Sequence, residues 1–392
     1  MGPAQTPAKL FINITFHIRN MNKALLPITT LVGTIMGAGF LGLPYVAQKS
    51  GIAIALFWLV IIGAGMAFIM LGLGEVILRT KQKHQLTGYA ELYLGARGKK
   101  LMMFAMLIGI YAALLAYLLG ESQSLSFILT GSFKQSITFG LIFWGCVSLA
   151  TYKGINVVKK GEFFGVALVL VLLAGIIILA FPEIKPQNLE TMNLQNWSVP
   201  IGLVLFSMLG YSALPEARQL QGKNASKLRR SIIISYIIAV IFYALFIITI
   251  VGALGENTPE IATLALGRWF AVIGVITMLT AYLALATALI DMFRYDYGWK
   301  KNQAWAITSA IPLMLFAAVS ITKIATFTTI LELGGLISGG LSLVMILLMM
   351  QKAKQKGNRK PEYTVPIIKG IAPLVALLLI IATMIQIISL FR

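Results

Sequence analysis

The sequence predicts an all-α integral membrane protein with eleven transmembrane helices. Of its 392 residues, 58% are hydrophobic and 11% are charged, whereas a typical soluble domain has about 25% charged residues. Uncharged stretches long enough to cross a hydrocarbon core of about 30 Å, which takes roughly 20 residues as a helix, recur along the whole chain. The chain therefore lacks the polar surface that a water-soluble globule needs.

We number these stretches as spans 1 to 11 in chain order. The first lacks a cleavage site of small residues, so we expect a membrane helix there and not a signal peptide. The predicted limits of the spans are 24–48, 51–78, 101–130, 135–152, 162–181, 198–216, 231–254, 268–291, 303–321, 325–350 and 367–391.

The basic residues are distributed unevenly among the segments that connect the spans. The chain has 32 Lys and Arg against 13 Asp and Glu, a formal net charge of +19. With the N-terminus in the cytoplasm, 26 of the 32 basic residues fall on the cytoplasmic side and six on the other. This positive-inside pattern predicts a multi-pass protein of the cell membrane whose basic loops face anionic lipid headgroups. The charge therefore indicates orientation, and we expect no nucleic-acid partner.

Spans 1 and 6 share a pattern of helix-breaking residues. The run Gly39-Phe40-Leu41-Gly42-Leu43-Pro44 is matched by Gly210-Tyr211-Ser212-Ala213-Leu214-Pro215, at an offset of 171 residues. A similar shift takes Glu121 in span 3 to Asp291 in span 8. Since five spans per copy is an odd number, the second copy must be inserted upside down, as in many transporters. The predicted organisation is a cytoplasmic arm at 1–23, two inverted halves at 24–181 and 198–350, and an additional helix at 367–391.

Span 1 contains three glycines between Gly33 and Gly39, and each costs about 1 kcal/mol relative to alanine in a helix. We therefore expect the helix to open there, which is tolerated in a membrane only where the backbone is buried or lines a cavity. Free N–H groups at a helix start can hold a carboxylate, and free carbonyls can hold an ammonium. The two breaks are thus suited to an amino acid zwitterion.

The predicted substrate contacts follow from this arrangement. The N–H groups of Ala38 and Gly39 face the carboxylate. The carbonyls that face the ammonium are those of Ile35, Phe206 and Ser207. The substrate side chain meets an apolar lining, which favours neutral, hydrophobic or aromatic L-amino acids, although ordinary helix packing would also explain these residues. The lining is Phe206, Met208, Tyr117 and Leu285, and Thr34, Gly37 and Gly210 complete the predicted site.

The run from Gly33 to Pro44 resembles the first-helix signature of the amino acid/auxin permease and aromatic amino acid permease branches of the amino acid–polyamine–organocation superfamily. Supporting matches are Ala116–Glu121 in span 3, Leu214–Glu216 in span 6, and Thr280 with Asp291 in span 8. The resemblance implies the LeuT fold, with spans 1 and 6 unwound around an amino acid. It also implies secondary active transport by alternating access, coupled to H⁺ or Na⁺, with no cofactor and no enzymatic activity.

The resemblance also implies a possible sodium site between spans 1 and 8. In sodium-coupled members of this fold, carbonyls of the first helix and hydroxyls of the eighth hold the cation. The matching groups here are the carbonyls of Gly33, Met36 and Thr277 and the hydroxyl of Thr280. Ala281 stands where a second hydroxyl would be, so the site is one ligand short.

A buried carboxyl group is the alternative carrier of the coupled ion. Charged side chains inside spans are costly and are functional candidates by default. The two candidates are Glu332 in span 10 and Glu121 in span 3. Both lie toward the outer ends of their spans, where they could instead face a water-filled vestibule.

Acidic residues also lie at the predicted cytoplasmic ends of spans, beside basic residues. We expect them to form an inner gate or structural ion pairs. They are Glu75, Glu216 and Asp291, with Arg79, Arg218 and Arg294 as the neighbouring partners.

A sensor that binds an amino acid on the same scaffold, without net transport, is the competing function. The cytoplasmic loops are short and the N-terminal arm has 23 residues, which leaves little surface for signalling. The single cysteine, Cys146, excludes an internal disulfide and a cysteine metal cluster. We expect the protein to act as a monomer.

Overall fold

The computed structural model describes residues 25–153, 170–171, 173–222, 224–265, 267–295 and 297–366, with five isolated positions beyond them. Within these residues the chain is almost entirely helical. Seven helices are long and apolar enough to cross a membrane, and an eighth crossing is a pair of helices bent by 43°. The predicted arm at 1–23 and span 11 lie outside the described residues, apart from those isolated positions.

The described helices overlap the predicted spans 1 to 10, most of them with small differences at their ends, whereas residues 162–169 and 172 of span 5 lie outside the described residues. In the first half they are Leu25–Ile35 with Ala38–Gly42 and Leu43–Ser50, then Ile52–Leu78, Leu86–Thr130, Ser136–Lys153 and Leu173–Glu183. In the second half they are Val199–Ser207 with Tyr211–Ala213 and Leu214–Leu220, then Leu228–Leu254, Arg268–Tyr295, Lys301–Thr322, and Phe327–Gly334 continued by Gly335–Gly339 and Gly340–Lys356.

Two features are not predicted by the sequence pattern. The helix of span 3 starts at Leu86 and so occupies much of the predicted loop 79–100. At Gly95 the backbone has φ 76° and ψ −172°, a region open essentially to glycine alone, and this separates a short helix from the membrane helix. Span 10 contains a π-helical turn at Gly335–Gly339. Such turns are frequent at functional sites.

The described spans pack in pairs that are five spans apart. Span 1 contacts span 6, span 2 contacts span 7, span 3 contacts span 8, and span 4 contacts span 9. The second α-helices of spans 1 and 6 begin at Leu43 and Leu214, which preserves the offset of 171 residues. A two-fold relation between the predicted halves would produce this pairing. The contact between spans 1 and 6 places the two helix breaks side by side.

The buried core surrounds the breaks, while large apolar side chains cover the outside. Phe40 and Tyr243 are 1% exposed, and Leu31 is fully buried. In contrast, Phe57 on span 2 and Leu149 on span 4 are 58% and 61% exposed. Such an apolar exterior is suited to hydrocarbon and not to water.

We expect Gly95→Ala to lower stability by about 1 to 3 kcal/mol, because a Cβ atom disfavours this backbone conformation. Steric contact would contribute nothing, since an added Cβ meets no atom within 4 Å. Gly145→Ala in span 4 is the matched control, because its Cβ is equally free but its backbone is helical. Thermal unfolding in detergent should separate the two variants. Equal unfolding temperatures would contradict the proposed role of Gly95.

Candidate functional site

Spans 1 and 6 are both interrupted in the middle. In span 1 the first helix closes with the Met36 N–H donating to the Val32 carbonyl at 2.7 Å, and a 3-10 turn starts at Ala38. In span 6 the first helix ends at Ser207, and a 3-10 turn starts at Tyr211. Each turn then continues into a second α-helix. The expected opening of both spans is therefore present.

The two breaks approach each other so closely that side chains are excluded. A Cβ atom on Gly39 would lie 2.9 Å from a ring carbon of Phe206 and 3.0 Å from the Ser207 Oγ. A Cβ atom on Gly210 would lie 2.7 Å from Cγ1 of Ile35. The structure therefore brings together five of the predicted substrate residues, and the glycines are required there by space.

Two tyrosine hydroxyls from span 7 hold backbone carbonyls of the breaks. The Tyr243 hydroxyl donates to the Ile35 carbonyl at 2.8 Å and is also 3.1 Å from the Ser207 carbonyl. The Tyr236 hydroxyl donates to the Met208 carbonyl at 3.0 Å. The substrate pattern in spans 1 and 6 predicts neither tyrosine. Their spacing of seven residues, two helical turns on an apolar helix, is the feature that could have indicated them.

Span 3 contributes a third tyrosine to the breaks. The Tyr117 hydroxyl lies beside the backbone N–H of Ala38. It also lies 3.4 Å from where a Cβ on Gly37 would stand. Tyr117 is predicted as part of an apolar lining, but its polar end faces the backbone of span 1. The Ser207 Oγ is buried beside these groups and makes no hydrogen bond among the described residues.

Each carbonyl predicted to hold an ammonium lies within hydrogen-bond distance of a donor, and those of Ile35 and Ser207 share the single proton of the Tyr243 hydroxyl. The carbonyls of Ile35 and Ser207 face Tyr243, and the Phe206 carbonyl accepts from the Leu209 N–H at 3.1 Å. A carbonyl oxygen has two lone pairs. An ammonium can therefore become a second donor without displacing the first.

The remaining predicted substrate residues lie less directly at the breaks. The Thr34 hydroxyl donates to the Thr30 carbonyl at 2.9 Å within its own helix. The methyl of Met208 points toward span 2, near Gly63. Leu285 is half-buried on span 8.

The predicted sodium ligands on span 8 bond to each other. The Thr280 hydroxyl donates to the Ile276 carbonyl at 2.9 Å and to the Thr277 carbonyl at 3.0 Å. Thr280 is exposed, while Thr277 is buried. On span 1, Gly33 is half-buried and Met36 is buried. A cation bound here would use the remaining lone pairs of the Thr277 carbonyl and of the Thr280 hydroxyl.

Both predicted intramembrane carboxyl groups are buried, so neither faces a water-filled vestibule in this structure. Glu332 is 5% exposed. Its backbone packs closely against Gly202 of span 6, because a Cβ atom added to Gly202 would lie 2.9 Å from the Glu332 carbonyl oxygen. Glu121 is fully buried, and neither of its carboxyl oxygens has a hydrogen-bond partner among the described residues.

Of the predicted ion pairs at the span ends, one is well formed. The Glu75 carboxyl, 2% exposed, lies 2.7 Å from Nε of Arg79, and its other oxygen accepts the Val365 N–H at 2.6 Å. Asp291 and Arg294 are 4.0 Å apart and both partly exposed.

The expected pair of Glu216 and Arg218 is not formed. Glu216 is exposed and has no ion pair within the described part of the chain, and Arg218 donates to the Gly222 carbonyl at 2.9 Å instead. The two residues lie only two positions apart on one helix, and side chains at this spacing do not face each other.

Sequence comparison relates the chain to amino acid permeases. The model of the tryptophan/tyrosine permease family matches residues 20–263. Tyrosine-specific transport systems 1 and 2 of Haemophilus influenzae are 26% identical over 242 residues and 24% identical over 252 residues. Each of these matches covers 60% of this chain and 60% of the relative's own length. Glutamine transporter 2 of Aliivibrio fischeri is 22% identical over 345 residues, covering 83% of this chain and 88% of its own.

Structural comparison supports the predicted fold. The crystal structure of MhsT in complex with L-phenylalanine matches 92% of this chain and 98% of its own, with a TM-score of 0.64 and 15% sequence identity. At this identity the likeness concerns the fold alone. It agrees with the LeuT fold that the resemblance of the first-helix signature implies.

We expect Tyr243→Phe to destabilise the protein by about 1 to 3 kcal/mol, because the two buried carbonyls of Ile35 and Ser207 would lose the hydroxyl proton that they share. The ring itself would remain, stacked on Phe40 at a centroid distance of 6.1 Å. Tyr282→Phe is the control, since this buried ring packs edge-on against Phe143 of span 4. Chemical denaturation in detergent measures the difference. A loss of stability no larger than that of the control would show that the hydroxyl does not support the breaks.

Proposed function

Because the chain belongs to the tryptophan/tyrosine permease family, we propose that it is a secondary active transporter of neutral L-amino acids, with hydrophobic or aromatic side chains preferred. It is a multi-pass protein of the cell membrane and a permease, not an enzyme. The observation that carries the proposal is the pair of adjacent breaks in spans 1 and 6. They place backbone donors and acceptors together inside the membrane without any Lys or Arg side chain near their centres.

In the proposed complex, the substrate carboxylate binds at the start of the helical segment Ala38–Ser50. The N–H of Ala38 turns from the Tyr117 hydroxyl to the carboxylate, and the N–H of Gly39 is the second donor. The dipole of the following helix favours a negative charge at this end. Hydrogen bonds to a charged acceptor are roughly twice as strong as neutral ones, so exchanging a hydroxyl for a carboxylate is favourable.

The ammonium group is proposed to donate to the carbonyls of Ile35, Phe206 and Ser207. The Tyr243 hydroxyl holds the first and the last of these in place before substrate arrives. Ser207 Oγ is an additional acceptor, because it is buried and unpartnered among the described residues. A preorganised site loses less entropy on binding than a disordered one.

Phe206 is proposed to set the preference for apolar side chains. Its ring covers Gly39 and lies 3.7 Å from where a Cβ on Gly334 would stand, so it spans the space between spans 1 and 10. Two of the relatives are named as tyrosine-specific, and a third as a glutamine transporter. Their named substrates are neutral amino acids. The absence of Lys and Arg from the middle of spans 1 and 6 suits the same class.

Transport is proposed to follow alternating access, coupled to H⁺ or Na⁺, by a monomer without a cofactor. A sodium site would use Gly33, Met36, Thr277 and Thr280, while a proton would use Glu121 or Glu332. The proposed gating residues are Glu75, Glu216, Arg218 and Asp291. Of the proposed gating pairs, that of Glu75 and Arg79 is the one buried in the described part of the chain.

In sealed liposomes, we expect the purified protein to accumulate labelled neutral amino acids, with tyrosine, tryptophan and phenylalanine above lysine and glutamate. A pH gradient and a sodium gradient are imposed in separate experiments. Uptake that follows sodium and is lost in Thr280→Ala would assign the ion to spans 1 and 8. Binding of an amino acid without accumulation under either gradient would favour the sensor, and the absence of both would refute the proposed function.

Replacing Gly39 by leucine should reduce amino acid binding by at least about 100-fold, because the added side chain meets Phe206 and Ser207 and requires the breaks to separate. Gly65→Leu is the control, since Gly65 is exposed on span 2 and an added Cβ meets nothing within 4 Å. Equilibrium binding of labelled L-tyrosine measures the effect. Normal affinity in the folded Gly39→Leu protein would place the substrate elsewhere.

A further inference from the structure

Glu121 is a fully buried acid whose carboxyl group is left unpartnered by the described residues. It is 0% exposed, and neither Oε1 nor Oε2 has a hydrogen-bond partner there. The group lies beside the backbone of Leu279 in span 8 without a hydrogen bond of normal geometry. A carboxylate in this position would need several kcal/mol to lose its water. A bound monovalent cation, a proton or a metal ion, removes that cost.

The elements packed around Glu121 supply no counter-charge. Span 3 holds no other charged residue between Lys100 and Lys134, and span 8 holds none between Arg268 and Asp291. Span 10 also packs here, since its Phe327 ring lies 3.2 Å from where a Cβ on Gly120 would stand. Between Lys323 and Lys352 it has one charged residue, the acid Glu332. The titratable tyrosines nearby are Tyr117 on span 3, Tyr282 on span 8 and Tyr243 on span 7, all neutral donors or acceptors.

Glu121 lies one helical turn beyond Tyr117 on the same side of span 3. The Tyr117 hydroxyl lies beside the N–H of Ala38, the donor proposed for the substrate carboxylate. Residues four apart on a helix are neighbours, with about 5 to 6 Å between their Cβ atoms. A negative charge on Glu121 would therefore act directly on a negative charge bound at the break.

Two more unpartnered hydroxyls lie toward the outer end of the same interface. Ser124 is one turn beyond Glu121 on span 3, and Thr263 covers Gly274 on span 8. Both are fully buried, and neither Oγ has a partner among the described residues. Since span 8 runs antiparallel to span 3, with Met278 beside Gly120, Gly274 stands near the level of Ser124. These hydroxyls are buried polar groups on the predicted outer side of Glu121.

We propose that Glu121 binds the coupled proton and that its protonation controls the affinity for the amino acid carboxylate at Ala38 and Gly39. The inference rests on the proposed transport function. A proton from the outer solution forms an O–H bond with the carboxylate, the neutral group permits the zwitterion to bind, and the O–H bond breaks toward the inner solution after release. One proton then moves inward with each amino acid.

The size of the coupling follows from Coulomb's law. Two carboxylates about 6 to 10 Å apart, at an effective dielectric constant of about 20, weaken each other's binding roughly ten- to a hundredfold. Protonation of Glu121 should therefore tighten substrate binding by this factor. By thermodynamic linkage, bound substrate must raise the affinity of Glu121 for the proton by the same factor.

The test uses the full-length protein and labelled L-tyrosine in sodium-free buffer at mildly acidic and mildly alkaline pH. The wild type should bind at least about tenfold more tightly in acid. Glu121→Gln, which imitates the protonated acid, should bind tightly at both pH values, retain exchange of L-tyrosine and lose accumulation driven by a pH gradient. Glu183→Gln, at an exposed acid, is the control and should keep the wild-type behaviour.

Wild-type pH dependence in Glu121→Gln would overturn the proposal. Sodium-dependent tightening at alkaline pH that disappears in this variant would also overturn it and assign the site to Na⁺. If Glu121→Gln does not fold, Glu121→Asp replaces it, and this titratable variant must retain the pH dependence.

Infrared spectroscopy of the substrate-free protein separates this inference from the proposed function. The carbonyl band of a protonated carboxyl group should be present in the wild type and lost in Glu121→Gln. A band that remains would contradict proton binding even if transport occurs. A band that is lost, in a protein that binds no amino acid from the panel, would refute the transport function and leave Glu121 as a protonated group.

Discussion

The structure depends on one constraint, that backbone polar groups freed inside a membrane must find partners within the protein. Spans 1 and 6 give up helical hydrogen bonds at their centres, and tyrosine side chains from other spans replace them. Tyr243 and Tyr236 hold carbonyls from one side, and the Tyr117 hydroxyl lies beside the N–H of Ala38 on the other. A tyrosine suits this task because its ring packs in an apolar core while its hydroxyl is a polar end.

The same partners make the breaks suitable for binding. A backbone group held by a neutral hydroxyl is already oriented, and it can accept a second donor or exchange a hydroxyl for a carboxylate. The exchange is selective for charge, because charged hydrogen-bond partners are stronger than neutral ones. The unpartnered Ser207 Oγ lies where this exchange is proposed to occur.

The predicted cytoplasmic end is held by a different kind of interaction. Glu75 joins its own helix, through Arg79, to the segment after span 10, through the Val365 N–H. Tyr363 and Arg359 of that segment also bond carbonyls of span 2, those of Leu71 and Leu78. Several bonds therefore tie one end of span 2 to span 10. The ion pair of Glu75 and Arg79 is part of this connection.

The sequence by itself determined the features that depend on local chemistry. Hydrophobic runs placed the spans, and the two Gly-to-Pro motifs located both breaks to within a few residues. Only the tertiary structure identified Tyr243, whose hydrogen bond to Ile35 joins residues 208 positions apart. It alone also showed that the described residues leave Glu121 unpartnered and that Glu216 and Arg218 do not pair. The reason is physical: hydropathy and helix propensity act over one or two turns, whereas burial and hydrogen-bond partners depend on which spans pack together.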